Sequence, residues 1–413
     1  MKAALITSFP AIIRAQTVTN AIKVGLVGCG GRGTGAASQA LTADDKTELV
    51  AVADIDQAQI DKSLTTLKSL SKLTDRVRVQ KAQQFLGLDA YQKVIGSGVD
   101  VVLLATPPGF RPMHLAACVD ADKHVFCEKP VSTDAPGLRW VLETTEKARA
   151  KKLSLVAGFC WRYNGMIQET FQKLFDGAIG KPVAYYATYY TNPVKPMPPA
   201  SARPAGMSDT EWQIRNWYNF VWLCGDSLVE QAVHSADKIA WAMKDEPPVS
   251  CVAVGGRAIP AEGGNIFDHF AVNYIYPNGV RAFLDNRQSE GCYNENADYI
   301  LGTEGTLTMG RGPAPRITGK VDWTWTGEHY DMYQKEHDML FASIRRHDPI
   351  NDGKRMATST LLAMMGRMAA YTGQQITWEQ ALNSQEKLFP EHLDWNGSLP
   401  VAPLARPGIT KFV

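Results

Sequence analysis

The stretch from Lys23 to Asp56 limits most strongly what this chain can fold into. It begins with an apolar run that predicts a buried strand, and Gly28, Gly30 and Gly33 follow in the spacing G-x-G-x-x-G. In that spacing the first glycine permits a tight turn, the second lets backbone approach a pyrophosphate, and the third lets the next helix pack against the strand. The N-terminus of that helix offers N–H donors to phosphates. An ordinary glycine-rich turn is the alternative, but the flanking strand and helix favour dinucleotide binding.

A second apolar strand ends at Asp54, about twenty residues after the glycines. A carboxylate at that distance accepts hydrogen bonds from the ribose hydroxyls of NAD and would repel the 2′-phosphate of NADP. Arg32, beside Gly31 in the same turn, keeps NADP open as the less favoured cofactor. Gly31 and Arg32 are therefore added to the predicted cofactor contacts.

Length and composition narrow the class of protein. A chain of 413 residues is long for one core, so we expect two domains. The 43 basic and 42 acidic residues nearly balance, which argues against a nucleic-acid partner. No apolar run approaches the roughly 20 residues that a membrane span needs. The seven cysteines are scattered without metal-ligand spacing, so we expect buried free thiols and no metal site.

Residues 1–20 read as a leader outside the fold. An early Lys, a short apolar stretch broken by Pro10 and the ending Arg14-Ala15-Gln16 resemble the distal half of a twin-arginine export signal, although the arginine pair is missing. This pattern predicts a periplasmic protein. The alternative is a cytoplasmic protein whose true start lies further along the chain.

The rest of the chain divides into two halves and a tail. In residues 21–158 apolar strands alternate with helices, which predicts a doubly wound parallel sheet. The strands expected there include Val77 to Gln80. In residues 159–389 consecutive strands with short turns predict a mostly antiparallel sheet, with one helix running from about Asp226 to Met243. Residues 390–413 form a proline-rich tail.

Two motifs follow neighbouring strands at the edge of the parallel sheet where ligands bind. Thr106 and Pro107 follow the fourth strand and are placed to touch the nicotinamide ribose, although a simple proline turn is the alternative. Lys129 follows the next strand, between Glu128 and Pro130. A lysine partly removed from water there can hold a substrate hydroxyl or exchange a proton, and a surface lysine before a turn is the alternative.

A third set of residues lies on the helix that begins near Asp226. Glu230 and His234 are four residues apart and therefore share a helix face, and Asp237 is three residues further on. A histidine between two carboxylates can move a proton. A buried structural histidine is the alternative, and the Glu–His pair has no third partner that would make a metal site.

Substrate contacts are harder to identify from sequence. Arg162 and Tyr163 follow the last strand of the first half, at the expected domain junction. Arg215 and Trp217 lie in an aromatic cluster after the proline-rich loop. Aromatic faces with polar groups between them suit a sugar ring, and packing in the core is the alternative.

The motifs GLVGCGGRG, VADID, ATPPGFRPMH, VFCEKP and G-D-x-x-x-E-Q-x-x-H-x-x-D resemble those of the Gfo/Idh/MocA family of sugar dehydrogenases. The resemblance implies a Rossmann domain followed by an α/β domain with an open sheet. It also implies that Lys129 is the catalytic lysine and that His234 donates or accepts the proton. His114 and Glu128, which lie within these motifs, are expected cofactor contacts. Many members have Asp in place of Glu230, so the role of the longer side chain stays open.

Three functional hypotheses follow. The first is hydride transfer between NAD and a carbinol carbon of a sugar, polyol or glycoside, in which His234 takes the hydroxyl proton and Lys129 holds the oxygen. The second is an NAD-dependent glycosidase that oxidises C3 transiently and eliminates the aglycone. The third is a regulatory module that binds NAD without catalysis. The cofactor is expected to be held tightly in some of these cases, and the open sheet predicts a homodimer or homotetramer.

Overall fold

The computed structural model describes residues 20–259 and 263–413. The predicted leader falls on residues 1–19, which lie outside the described residues, so it stays a prediction. Within the described part, the helices are too short or too polar to cross a membrane.

The first half of the chain forms one parallel sheet. Its six strands, in the described residues, lie in the order β3-β2-β1-β4-β5-β6, and all neighbouring pairs are parallel. The strands are β1 (Ile22–Val27), β2 (Thr47–Asp54), β3 (Gln84–Leu86), β4 (Val101–Leu104), β5 (His124–Cys127) and β6 (Leu155–Ala157). The helices between them are α1 (Gly31–Ala43), α2 (Gln57–Ser69), α3 (Ala90–Gly96), α4 (Arg111–Asp120) and α5 (Ala135–Ala150). The predicted doubly wound sheet is confirmed.

The second half forms a mixed, mostly antiparallel sheet. Among the described residues its nine strands lie in the order β14-β13-β12-β11-β7-β10-β9-β8-β15, and only β7 and β10 pair in parallel. The strands are β7 (Pro182–Thr191), β8 (Ser250–Gly256), β9 (His269–Ile275), β10 (Arg281–Gln288), β11 (Glu295–Gly302), β12 (Gly305–Gly310), β13 (Arg316–Gly319), β14 (Trp323–Thr324) and β15 (Ile376–Thr377). The predicted second sheet is therefore confirmed as well.

Eight helices belong to the described part of this half. They are α6 (Gly165–Phe175), α7 (Asp209–Arg215), α8 (Val221–Cys224), α9 (Ser227–Glu230), α10 (Val233–Ala242), α11 (Met332–Arg346), α12 (Gly353–Thr372) and α13 (Trp378–Asn383). Helices α10 and α12 cover one face of the sheet, so strands such as β9 alternate buried and half-buried residues. Residues 390–413 contain no helix or strand, as the proline-rich tail predicts.

Local chemistry explains several helix starts. The Asp134 side chain accepts a hydrogen bond from the backbone N–H of Gly137 at 2.8 Å and caps α5. Asp56 caps α2 and Asn164 caps α6 in the same way. Each cap satisfies an N–H group that has no partner inside its helix.

Two details of the predicted elements are wrong, and the thiols are mostly as expected. Val77 to Gln80 is not a strand, because short 3₁₀ turns on either side leave only one bridge, between Val77 and Leu49. The edge strand is β3 instead, and β13 was not predicted. All seven cysteines are free, and six are buried; Cys292 is exposed.

Helix α11 joins the two halves into one body. It comes late in the chain, yet Leu340, Phe341 and Ile344 are buried in the apolar cluster beneath the first sheet. Arg345 at its last turn donates to the Asp44 carboxylate at 2.7 and 2.8 Å. The predicted boundary near residue 158 therefore separates the two sheets but not the two cores.

Replacing Phe341 by Ala should lower the free energy of unfolding by about 3–5 kcal/mol, because the ring is fully buried beneath the first sheet. Leu70→Ala is the matched control, since Leu70 is 42% exposed and its loss should cost less than about 1 kcal/mol. Urea unfolding of both variants measures the difference. Equal effects would show that α11 does not complete the first core.

Candidate active site

The glycine turn between β1 and α1 leaves space where a ligand can approach. Gly28 has φ of +97°, and a Cβ on Gly33 would lie 1.9 Å from the carbonyl oxygen of Gly28. Both positions therefore require glycine. A Cβ on Gly30, in contrast, would meet nothing within 4 Å, although this residue begins α1 and has no side-chain cap. The free space faces the helix N-terminus, where a phosphate would bind.

Asp54 ends β2 beside this turn. Its carboxylate accepts hydrogen bonds from the backbone N–H of Cys29 at 2.7 Å and of Asp56 at 3.1 Å. Burial raises the pKa of Asp54 above its ordinary value, and these backbone donors work in the opposite direction. The donors fix the carboxylate at the position where a ribose hydroxyl would meet it.

A cavity of about 310 Å³ opens between the glycine turn and the second half of the chain. The predicted cofactor residues on its wall are Gly28, Gly30, Asp54, Thr106, Pro107 and His114. Its opposite wall includes Lys195, Ile214 and Trp217 from the segment before α8. Gly31 and Gly33 lie in the turn without lining the cavity.

His114 supports the wall of this cavity as a neutral ring. Its Nδ1 lies 3.2 Å from the Thr106 hydroxyl, and its ring stacks on Tyr91 with centroids 4.1 Å apart. Burial lowers the pKa of His114 to about 3, and the nearby Arg111 adds to the shift. The ring therefore holds Thr106 in place and carries no charge at neutral pH.

A second cavity of about 290 Å³ adjoins the first. The two share wall residues Thr106, Pro107 and Trp217, so one elongated ligand could occupy both. The predicted residues Lys129, Glu230 and His234 all line the second cavity, together with Arg32 and Glu128.

Lys129 is held by Glu230 from the other half of the chain. Its ammonium lies 3.2 Å from the Glu230 carboxylate and also donates to the Glu230 backbone carbonyl. Both side chains are at most 10% exposed. The second carboxylate oxygen of Glu230 accepts from the Gln231 amide at 2.6 Å, and Gln231 in turn accepts from the Tyr189 hydroxyl at 2.9 Å. Lys129 is thus fixed at one end of a buried polar chain.

The predicted continuous helix from Asp226 to Met243 is wrong. Helix α9 ends at Glu230, and α10 begins at Val233. In a continuous helix the N–H of His234 would donate to the Glu230 carbonyl, but here it donates to Gln231 at 3.3 Å. The break therefore leaves the Glu230 carbonyl available to Lys129.

His234 faces the second cavity as a buried neutral ring. Its Nδ1 has no hydrogen-bond partner among the residues that the structure describes. Burial lowers the pKa of His234 well below its ordinary value, and Lys129, Arg311 and Lys238 add to the shift through their positive charges. A neutral imidazole beside an ammonium group can accept a proton.

Arg32 does not point toward the ribose of the first cavity. It donates to the Glu128 carboxylate, and its guanidinium lies 5.1 Å above the Tyr333 ring. Glu128 also accepts from the backbone N–H of Lys129 at 3.2 Å. Arg32 and Glu128 thus form a fixed pair at the side of the second cavity.

Three predicted substrate contacts lie away from both cavities, and the structure corrects them. Arg162 binds Asp237 at 3.0 Å and also Asp245. Asp237 consequently turns away from His234. The Tyr163 hydroxyl donates to Asp352 at 2.7 Å in the buried interior. Each of these polar groups is already satisfied by another protein group.

The other two substrate predictions divide. Arg215 lines the first cavity, where it donates to Asp56 and Glu211 at 2.8 and 2.7 Å. It is therefore not at the substrate end, which corrects that prediction. Trp217 lines both cavities and stays a candidate contact.

Sequence reasoning missed several residues of the second cavity, namely Arg111, Tyr189, Gln231, Arg311 and Tyr333. Gln231 follows directly after Glu230 in the motif and could have been found there. The others come from separate elements and carry no local signal. In the described ranges no three His, Cys, Asp or Glu side chains are grouped so as to hold a metal ion.

Comparison with known proteins decides the family. Residues 22–156 match the sequence profile of the Gfo/Idh/MocA group, described as an oxidoreductase family with an NAD-binding Rossmann fold. Inositol 2-dehydrogenase of Rubrobacter xylanophilus is 25% identical over 302 residues, which cover 73% of either chain. Myo-inositol 2-dehydrogenase of Thermotoga maritima is 23% identical over 291 residues, 69% of this chain and 74% of that protein. The chain belongs to the Gfo/Idh/MocA oxidoreductase family.

Solved structures of similar proteins share the fold of this family member. A levoglucosan dehydrogenase in complex with NADH and levoglucosan superposes with a TM-score of 0.69 at 17% identity, covering 87% of this chain and 99% of that one. An aldose–aldose oxidoreductase from Caulobacter crescentus, complexed with glycerol, gives 0.67 at 16% identity, covering 87% and 100%.

The residues of this oxidoreductase fit NAD. The space above Gly30 suits the pyrophosphate, and the Asp54 carboxylate suits the ribose. The predicted cofactor NAD is confirmed, and the preference for NAD over NADP stays a prediction. When bound, the nicotinamide would lie in the second cavity, because that is the part of the groove beyond Thr106 and Pro107.

A Gly30→Ala variant should fold as stably as the parent and bind NADH at least about tenfold more weakly, because its methyl group would fill only the ligand space. Gly33→Ala is the contrasting variant, since its methyl would collide with the Gly28 carbonyl and lower the melting temperature of the free protein. Thermal unfolding and titration of NADH fluorescence separate the two effects. Unchanged NADH affinity in Gly30→Ala would contradict the assigned phosphate position.

Proposed function

We propose that this oxidoreductase transfers hydride between NAD and a carbinol carbon of a sugar or polyol. The observation that carries the proposal is that Lys129, Glu230 and His234, from both halves of the chain, line one cavity continuous with the glycine turn. The nicotinamide supplies the hydride acceptor. The names of the relatives, inositol 2-dehydrogenases and a levoglucosan dehydrogenase, support a polyhydroxylated substrate.

In this proposal Lys129 holds the reacting oxygen. Its ammonium is fixed by Glu230 and still faces the cavity, so it can donate to the substrate hydroxyl and stabilise negative charge as the proton leaves. Glu230 is a positioning residue, because its carboxylate and its carbonyl both orient the ammonium group. The longer side chain of Glu, relative to Asp, lets it reach Lys129 and Gln231 together.

His234 accepts the hydroxyl proton in the same proposal. A general base must be unprotonated at the working pH and must lie within reach of the proton. Burial and the surrounding cations meet the first condition, and the shared cavity wall with Lys129 supports the second. Asp237 has no part in this step, because it binds Arg162.

The other hypotheses gain less support. The relatives described above are named as dehydrogenases or oxidoreductases, and none of these names indicates a glycosidase. The same names and the family count against a regulatory module without catalysis. We also propose a homo-oligomer, since the uncovered face of the second sheet exposes apolar residues such as Val252, Val254 and Leu301.

Lys129→Met should retain NADH binding and lose at least about a thousandfold in kcat, because the variant keeps the side-chain length but removes the donor to the reacting oxygen. Lys151→Met, on the surface of the first half, is the matched control and should keep its activity. Stopped-flow measurement of NADH formation with an inositol or an aldose gives the rate. A Lys129→Met enzyme with near-parent turnover would refute the assignment.

The pH profile tests His234. Because its pKa lies well below 6.5, the ring stays unprotonated as the pH falls, and kcat/KM for alcohol oxidation at pH 6.0 should remain within about twofold of its value at pH 7.5. An ordinary histidine base would already have lost most of its activity at pH 6.0. Initial rates at constant ionic strength from pH 5 to 8 provide the measurement. A midpoint at 6.5 or higher would contradict this role, and His234→Asn should lower the rate across the whole range.

A further inference from the structure

The second cavity has more positive than negative side chains on its wall. Its charged residues are the cations Arg32, Arg111, Lys129 and Arg311 and the carboxylates Glu128 and Glu230. Arg32 pairs with Glu128, and Lys129 pairs with Glu230. The two remaining arginines have no ion-pair partner in the described ranges, so the cavity keeps two uncompensated positive charges.

Arg311 lies at the mouth of this cavity. It follows β12, and its backbone N–H donates to the Asn296 carbonyl at 2.9 Å, which fixes the position of the loop. Its side chain is exposed, and the structure records no hydrogen bond from its guanidinium to any described residue. It contributes to the electrostatic environment of His234 and Tyr189, so its charge is felt at the catalytic end.

Arg111 lies deeper, behind the Lys129–Pro130 turn. It is 4% exposed, and its Nη1 donates to the Pro130 carbonyl at 2.5 Å. Its Nε is buried without a hydrogen-bond partner among the described residues. A buried cation that has no counter-charge is costly, and an anion in the cavity would offset part of that cost.

The phosphates of the cofactor do not account for these charges. Gly30, where the pyrophosphate fits, lines the first cavity and not the second. Arg311 lines the second cavity and an adjacent surface cavity of about 680 Å³, and it does not line the first. The pyrophosphate site and the Arg311 site therefore lie in different parts of the groove. Glu336, 3.7 Å from Arg32, is buried behind that pair and does not face the cavity.

We propose that the substrate of this enzyme is an anionic carbohydrate whose negatively charged group is bound by Arg311, while Arg111 strengthens the positive field from below. The proposal deepens the function proposed above and rests on it for the position of the carbinol carbon between Lys129 and His234. A carboxylate or a phosphate would satisfy the planar guanidinium equally well by paired hydrogen bonds. Arg311 then determines which sugars are turned over, and the Lys129–His234 pair performs the chemistry.

Binding can be tested without turnover. Calorimetric titration of the NADH-loaded enzyme with glucose, glucuronate and glucose 6-phosphate compares a neutral sugar with its carboxylate and phosphate counterparts. We expect at least one anion to bind at least about tenfold more tightly than glucose, and the tighter of the two identifies the anionic group. Arg311→Gln should remove this preference and leave the Kd for NADH within about twofold. Arg316→Gln, on β13 outside the second cavity, is the matched control and should keep the preference.

Kinetics separates the failure of this inference from the failure of the proposed function. Higher kcat/KM for the anionic sugar, reduced at least about tenfold by Arg311→Gln through KM and weakened by added salt, supports both. Equal binding and turnover of neutral and anionic sugars would overturn the anionic substrate and leave the dehydrogenase intact. A weaker Kd for NADH in Arg311→Gln, with no change in sugar preference, would assign Arg311 to the cofactor and overturn the inference. Arg311-dependent anion binding without hydride transfer to any sugar would instead overturn the proposed function.

Discussion

The ion pair between Lys129 and Glu230 is the contact on which the site depends. It joins the edge of the parallel sheet to the start of α9 across 101 residues of sequence, and both side chains are nearly buried. Burying two charges costs about as much as their attraction returns, so such a pair contributes little to stability. Its effect here is positional, because Glu230 keeps Lys129 charged in a cavity that excludes most water. The same contact fixes how the two halves meet around the groove.

The break between α9 and α10 follows from this contact. A continuous helix would use the Glu230 carbonyl for its own hydrogen bond and leave Lys129 one acceptor fewer. With the chain interrupted after Glu230, the carbonyl and the carboxylate both face Lys129, and α10 begins with His234 on the same cavity. Before α9, Asp226 has φ of +85° and accepts from the N–H of Ser227, the N–H of Phe267 and the Tyr371 hydroxyl. These three donors hold the unusual backbone that the break requires.

How much of this could be predicted depended on whether the information was local in the chain. The glycine turn, Asp54 and the Glu128-Lys129-Pro130 motif each lie where a strand ends, so sequence spacing alone placed them at one sheet edge. Both sheets followed from the order of apolar runs. Arg162 and Asp237 were misplaced because each binds the other across 75 residues, and spacing cannot reveal which partner a charged side chain will find. Arg311 and the position of α11 under the first sheet were missed for the same reason.

The positive charge of the second cavity connects catalysis with substrate selection. Lys129 and Arg311 both contribute to keeping His234 neutral, which a proton acceptor must be. The same two cations would attract an anionic sugar toward that base. Once an anion is bound at Arg311, it would offset part of the field that holds the pKa of His234 down, so the imidazolium formed by proton transfer would be less unfavourable in the loaded site than in the empty one. An anion would thus make His234 a stronger base only when substrate is present, whereas a neutral sugar would leave the field unchanged.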